Sequence, residues 1–139
     1  RGGGPAWRGA YRPGRTRSNG RNRPGSWASG PRWPAGGGHD IAEVLSGQLT
    51  VNDPSASGPH NQGAVAGTWC GAYHTYGLQR LASSANVYWD GVLVKSYSTD
   101  DNGVGEELIL NVGNGGVNQV YGAASQMKVD WVRAWTPAP

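Results

Sequence analysis

The stretch SANVYWDGVLVKSYS, residues 84 to 98, limits the fold of this chain more than any other feature. Two runs rich in apolar and aromatic residues are joined by the dipeptide Asp90-Gly91. Asp-Gly fits a two-residue type I′ turn, because both central residues of that turn need positive φ. The stretch therefore predicts a β-hairpin.

Similar short runs extend from residue 40 to the end of the chain, with Gly, Asn, Asp and Ser between them. No segment has convincing helical periodicity, and about seven or eight strands are expected. This pattern predicts an all-β sandwich of antiparallel strands. Besides the hairpin, the predicted strands are DIAEVL (40–45), QLTVN (48–52), GAVAGTW (63–69), AYHTYGLQ (72–79), EELILNV (106–112) and QMKVDWVRAW (126–135).

Residues 1–37 have a different composition. Eight of the chain's 12 basic residues are arginines at or before position 32, and all nine acidic residues lie at or after Asp40. No period of 2 or 3.6 is present there, so we predict an irregular basic arm over 1–37 and a β-domain over 38–139. The arm could bind nucleic acid or acidic polysaccharide. The preferred interpretation is a poorly ordered terminus whose positive charge has no binding role. Two origins of residues 21–39 remain open: an out-of-frame reading of the gene, or a deletion.

Several classes of protein are not expected from this composition. No apolar run approaches the length of a membrane span, so no membrane partner is predicted. Cys70 is the only cysteine, which excludes an internal disulfide and argues against a thiolate metal site. It is interpreted as a small buried residue. No signal peptide is visible, which leaves secretion open.

The segment GGGHDIAEVL, residues 36 to 45, carries the candidate chemistry. Along a strand, residues two apart share a face, so positions 38 and 40 do. A one-residue bulge between Asp40 and Glu43 would bring Glu43 onto that same face. A row of acids at 38, 40 and 43 would suit retaining glycoside hydrolysis, in which one carboxylate attacks the anomeric carbon and another protonates the leaving oxygen. Position 38 is glycine.

The segment resembles the catalytic strand of glycoside hydrolase family 16, the laminarinase and lichenase group. Its usual form is Trp-Pro followed by Glu-x-Asp-x-x-Glu, and this chain has WPAGGGHDIAEVL (33–45). Five segments resemble the family in the right order over roughly 100 residues. The four downstream ones are GAYHTYGLQR (71–80), VYWDGVLV (87–94), LILNVGNGG (108–116) and MKVDWVRAW (127–135).

The resemblance implies a concanavalin-like β-jelly roll of two antiparallel sheets, truncated at its N-terminal side. It also implies a secreted endo-β-glucanase acting on β-1,3- or mixed-linkage β-glucan. By the family pattern, Glu43 is the acid/base, Asp40 the assisting acid, and Gly38 occupies the position of the nucleophile. The chain departs from the pattern again where His39 replaces an aliphatic residue and Gln79-Arg80 replaces Glu-Trp.

Other site residues follow from the resemblance. Candidate sugar-binding residues are Trp33, Trp69, and His60 with Asn61, the last two in an expected Gly/Pro loop. Asp130 matches an acid that holds a structural calcium in many family members, although no cofactor is required. The expected partner is a β-glucan, nucleic acid is not expected, and the oligomeric state is not predicted. Three functions remain open: impaired hydrolysis, glycan binding without catalysis, and polyanion binding by the basic arm.

Overall fold

The computed structural model describes residues 6–12, 22–29, 37–45, 48–55, 57–69, 71–101, 104–114 and 126–135. These residues form ten strands and no helix, so none of them belongs to a helix that could cross a membrane. The strands are β1 (Ala6–Arg12), β2 (Asn22–Ser29), β3 (Gly38–Leu45), β4 (Gln48–Ser55), β5 (Gly58–Ala64), β6 (Tyr73–Arg80), β7 (Ser84–Trp89), β8 (Val92–Ser98), β9 (Glu107–Asn114) and β10 (Gln126–Arg133).

The strands form two antiparallel sheets of five strands each. The first, here called the front sheet, has the order β5-β4-β3-β2-β9, and the back sheet has the order β10-β1-β6-β7-β8. Alternate residues of β3, β4, β6, β7 and β8 point between the sheets and bury apolar area there. The predicted all-β sandwich is therefore confirmed. Its buried core consists of Ile41, Ala42, Val44, Leu49, Val51, Tyr76, Leu78, Ala85, Val87, Trp89 and Tyr97.

The prediction of an irregular arm over 1–37 is wrong for residues 6–12 and 22–29. β1 pairs with β10 and β6, and β2 pairs with β3 and β9. Main-chain hydrogen bonds to two neighbours hold each strand in place, and such bonds need no apolar alternation in the strand's own sequence. Pro24 lies just before the β2–β3 pairing begins, where only β9 pairs with β2. Apart from Gly37, the rest of the arm, which includes Trp33, lies outside the described residues.

The predicted hairpin is confirmed. Asp90 and Gly91 have φ values of 48° and 80°, as a type I′ turn requires. The Asp90 carboxylate also accepts a 2.8 Å hydrogen bond from the main-chain N–H of Thr75 and lies 2.8 Å from Nδ1 of His74. The turn residue thus fastens the hairpin to the neighbouring strand β6.

Two local predictions between residues 58 and 69 are wrong. The Gly/Pro loop expected around His60 is strand β5, because its main chain pairs with β4. The strand expected over 63–69 ends at Ala64, and the chain then passes over Trp89. At Gly67, φ is 138° and an added Cβ would lie 2.8 Å from the Trp89 ring, so the close approach requires glycine.

Candidate active site

A bulge in β3 brings Asp40 and Glu43 onto the same face of the front sheet. Asp40 pairs with Asn52 and Glu43 with Thr50, so β3 has one more residue than β4 over this interval. The two residues between the acids are buried in the core. The bulge expected from the sequence is therefore present, and both acids point away from the core.

Asn52 and Thr50 hold the acid pair from the neighbouring strand. Nδ2 of Asn52 donates a 3.0 Å hydrogen bond to Oε2 of Glu43, and the Asn52 side chain also hydrogen-bonds to Asp40. The Thr50 hydroxyl donates a 2.9 Å hydrogen bond to the main-chain oxygen of Glu43. The sequence interpretation missed both residues. Their alternation with the apolar residues of QLTVN, on the strand that follows the motif, was the signal that could have revealed them.

Asp40 has an unusual pKa for an aspartate. Burial and, to a smaller extent, the neighbouring Glu43 carboxylate raise the pKa of Asp40 to about 7, and the hydrogen bond from Asn52 partly opposes them. Two carboxyl groups this close do not ionise independently, because one negative charge disfavours the other. The Asp40 carboxyl group therefore titrates near neutral pH.

Position 38 provides no reactive group. Gly38 is buried and pairs with Ser29 of β2, and it lies two residues before Asp40 on the same strand. It therefore belongs to the face that carries the acid pair. Glycine has no side chain that could attack an anomeric carbon. The site combines two carboxyl groups and an amide with a gap at the position where the family pattern has a nucleophile.

His39 points to the opposite side of β3, between the sheets, and is only 1% exposed. Its Nδ1 lies 3.1 Å from the Tyr97 hydroxyl and its Nε2 lies 3.3 Å from Oδ2 of Asp101. Arg80 donates hydrogen bonds to Asp101 and, at 2.8 Å, to the main-chain oxygen of Val104. Two departures from the family pattern, His39 and Arg80, are thus joined through one buried carboxylate.

Glu106 completes this buried polar cluster. Its side chain is 4% exposed, and Oε2 lies 3.4 Å from Nε of Arg80 and 3.8 Å from Nε2 of His39. Neither carboxylate oxygen of Glu106 has a hydrogen-bond partner among the described residues. Burial raises the pKa of Glu106 to about 7, although Arg80 opposes the change. Burial lowers the pKa of His39, and Arg80 lowers it further.

The cluster does not fit a metal centre well. Ligand atoms of His39, Asp101 and Glu106 all lie within 4.8 Å of one another, which is close enough to share an ion. However, the Arg80 guanidinium is paired with both carboxylates and would repel a second cation there. Asp130 is exposed on β10 and does not belong to this group, the one such group within the described residues. The calcium expected at Asp130 therefore finds no support in the described residues.

The remaining sugar-binding candidates are only partly located. Asn61 on β5 pairs with Asn52 on β4, so its backbone lies two strands away from the acid pair on β3, and His60 lies beside it on β5, opposite Asp53. The side chains of His60 and Asn61 lie outside the described part of the structure. Trp69 is partly buried and packs against the core.

No known protein-family profile matches the chain, and no curated protein sequence matches it significantly. Solved structures do match. A non-specific endo-β-1,3(4)-glucanase of family 16, SCLam, has a TM-score of 0.76 at 24% identity, over 96% of this chain and 57% of its own length. A mixed-linkage-glucan family 16 protein of Bacteroides ovatus, in complex with product, has a TM-score of 0.74 at 22% identity, over 96% of this chain and 69% of its own.

The laminarinase catalytic domain of Thermotoga maritima MSB8 has a TM-score of 0.76 at 19% identity, over 99% of this chain and 65% of its own length. The chain has the glycoside hydrolase family 16 fold. The resemblance carried by the five sequence segments is confirmed at the level of the fold, including the jelly roll of two antiparallel sheets. The chain spans 57% of the length of SCLam and 65% of that of the Thermotoga maritima laminarinase domain.

Proposed function

We propose that this chain recognises β-1,3- or mixed-linkage β-glucan on the face of the front sheet that carries Asp40 and Glu43, and that Gly38 limits its hydrolysis of that glucan. One observation carries the proposal: a family-16 sandwich in which the acid pair shares Asn52 and position 38 has no side chain. The β-glucanases and laminarinase of the same fold support the substrate class. A secreted location belongs to the same proposal.

The chemistry follows from the side chains present. Glu43 donates a proton to the glycosidic oxygen as the bond to the anomeric carbon breaks. Asp40 is partly protonated near neutral pH and modulates the charge of its neighbour. No glycosyl-enzyme bond forms, because position 38 has no attacking oxygen. A water molecule attacks the anomeric carbon instead, with inversion, and releases its proton to bulk solvent, from which Glu43 is reprotonated. The rate is several orders of magnitude below that of a retaining enzyme.

A second function is glycan binding without catalysis, and Gly38 is the observation that favours it. A binding protein needs a sugar-complementary surface and no nucleophile, so glycine at position 38 would then be no loss. Polyanion binding by the basic arm stays a separate prediction. Strong salt dependence of DNA binding that is lost when the arginines at or before position 32 are replaced by glutamine would support it.

Affinity gel electrophoresis in laminarin and lichenan, beside a reducing-sugar assay, tests the proposal. We expect both β-glucans to retard the protein, dextran to leave its mobility unchanged, and reducing sugar to appear slowly. Glu43→Gln should abolish turnover and keep binding, whereas Asp130→Asn, on the exposed part of β10, should change neither. Retardation by β-glucan without release of reducing sugar would favour glycan binding without catalysis. Mobility unchanged by every β-glucan would reject both functions.

A further inference from the structure

The His39 ring lies beneath the acid pair, on the side of β3 that faces the core. Its two neighbours along the strand are Gly38 and Asp40. Its Nδ1 faces the Tyr97 hydroxyl at 3.1 Å and the Asp53 carboxylate at 3.6 Å, and its Nε2 faces Asp101 at 3.3 Å. The ring therefore contacts groups from β4, from β8 and from the segment that follows β8.

These contacts determine which nitrogen of the neutral ring carries the proton. The Asp101 carboxylate is paired with Arg80 and can only accept, so Nε2 must carry the ring hydrogen. Nδ1 then accepts a hydrogen bond from the Tyr97 hydroxyl, whose proton is retained because burial raises the pKa of Tyr97. The neutral Nε2–H form thus satisfies both nitrogens, and burial favours it by lowering the pKa of His39.

A second proton changes this arrangement. An Nδ1–H cannot accept from Tyr97 and must donate instead, so the Tyr97 hydroxyl has to turn its own proton away, and the carboxylate nearest to Nδ1 is that of Asp53, with Oδ1 at 3.6 Å. Protonation therefore reverses the hydrogen bond to β8 and adds an attraction between the imidazolium and the Asp53 carboxylate, which favours a shorter contact to β4. The titratable and charged groups that face the ring from the packed elements are Asp53 (β4), Arg80 (β6), Tyr97 (β8), and Asp101 and Glu106 (between β8 and β9). Asp40, its neighbour on β3, lies on the opposite face of the strand.

The contact to Asp53 matters because of the residues beside it. Asp53 follows Asn52, whose amide holds Glu43, and His39 precedes Asp40. The same ring thus sits under both strands that place the acid pair. We propose that neutral His39 is a positioning residue for Asp40 and Glu43, and that protonation of its Nδ1 displaces the pair by drawing β4 towards β3. The consequence for glucan binding rests on the function proposed above.

NMR titration of the full chain tests the proposal without any ligand. Nitrogen shifts of the His39 ring report its tautomer and its pKa, and main-chain amides of residues 40–43 report the position of the site. His39→Gln is the matched variant, because its amide can donate to Asp101 and accept from Tyr97 but does not titrate. His74→Gln, on the hairpin side of β6, controls for loss of a histidine elsewhere.

We expect the Nε2–H tautomer at pH 7 and two transitions of the 40–43 amides, one from Asp40 itself near pH 7 and one at lower pH whose midpoint equals that of the His39 ring. His39→Gln should lack the lower transition and keep the upper one, and His74→Gln should keep both. A protonated ring at pH 7, the Nδ1–H tautomer, or amides that follow the same curve in His39→Gln would each overturn the proposal.

Laminarin affinity provides the functional readout. Acidification from pH 7 to 5 should weaken laminarin binding about fivefold more in the native chain than in His39→Gln. A difference of about fivefold is at the lower end of the range that coupling between two sites usually gives. Equal pH dependence in the two proteins would overturn the link to the site. Failure of both proteins to bind laminarin at every pH would reject the proposed function, and the ligand-free titration would still decide the role of His39.

Discussion

The amide of Asn52 on β4 donates a 3.0 Å hydrogen bond to Glu43 on β3, and the same side chain hydrogen-bonds to Asp40. A single neutral residue thus links two acids that are separated by a bulge along their own strand. Because the Asn52 hydrogen bond stabilises the ionised form of Asp40, it influences the protonation as well as the position of the pair.

Asn52→Ala tests this link. Without the amide, the pKa of Asp40 should rise above its value in the native chain, and laminarin binding should weaken. The lost hydrogen bonds should reduce the free energy of unfolding by about 1 kcal/mol. Carboxyl ¹³C shifts measured across pH give the pKa directly. Asn86→Ala is the control, because its amide donates at 2.8 Å to Gln79 on the back sheet, and it should leave the Asp40 titration unchanged.

Gly38→Glu should create the carboxylate that the family pattern has at this position. If the glucan-binding face is otherwise formed, hydrolysis of laminarin should increase at least about 100-fold, because a covalent nucleophile contributes orders of magnitude to the rate. Gly38→Gln has the same size without the charge and should stay at the native rate. A folded Gly38→Glu protein with no gain would show that catalysis is lost for a reason other than position 38.

An external nucleophile should act at position 38, where the family pattern has a nucleophile and this chain has glycine. Azide, supplied with an aryl β-glucoside of a β-1,3-linked oligosaccharide, should attack the anomeric carbon as the aryl oxide leaves. The expected product is the α-glycosyl azide, because attack comes from the face opposite the leaving group. Product analysis by NMR identifies the anomer. No azide adduct, or a β-anomer, would contradict an open nucleophile position.

Glu106 should make stability depend on pH. Its pKa is raised from 4.5 to about 7 in the folded chain, so the native state holds this proton more tightly than the unfolded chain. The resulting stabilisation is fully present below the unfolded pKa and is lost as the pH rises through about 7. Urea unfolding between about pH 5 and 8.5 should show this loss. It should be smaller in Glu106→Gln, whereas Glu107→Gln, at an exposed position, should match the native chain.

Arg80→Met should destabilise the core strongly. The guanidinium is the counter-charge of both Asp101 and Glu106, and its removal leaves two buried carboxylates together. We expect a loss of about 3 kcal/mol in the free energy of unfolding. Adding Glu106→Gln should recover part of it, because the two residues interact directly. Arg133→Met is the control, since this exposed guanidinium lies over the Trp131 ring, and it should cost well under about 1 kcal/mol.

Local patterns were sufficient to predict seven of the ten described strands, including the hairpin of β7 and β8. Asp90-Gly91 specified its turn because that turn needs positive φ, and the spacing of Asp40 and Glu43 required a bulge if both were to share a face. Each of these features depends on a few consecutive residues. The strands of the Gly/Arg/Pro-rich segment could not be predicted in this way, because β1 pairs with β10 and β2 pairs with β9, and both partners are far away in the sequence.

The sequence alone determined the strand-forming segments, the family resemblance, and the absence of a carboxylate at position 38. Only the tertiary structure brought Asn52 to the acid pair and joined His39 to Arg80 through Asp101. Periodicity indicates which face of a strand a side chain occupies, but not which residue of the other sheet it meets. That second choice is made by the packing of the two sheets, where a buried polar group is stable only beside the partners that satisfy it.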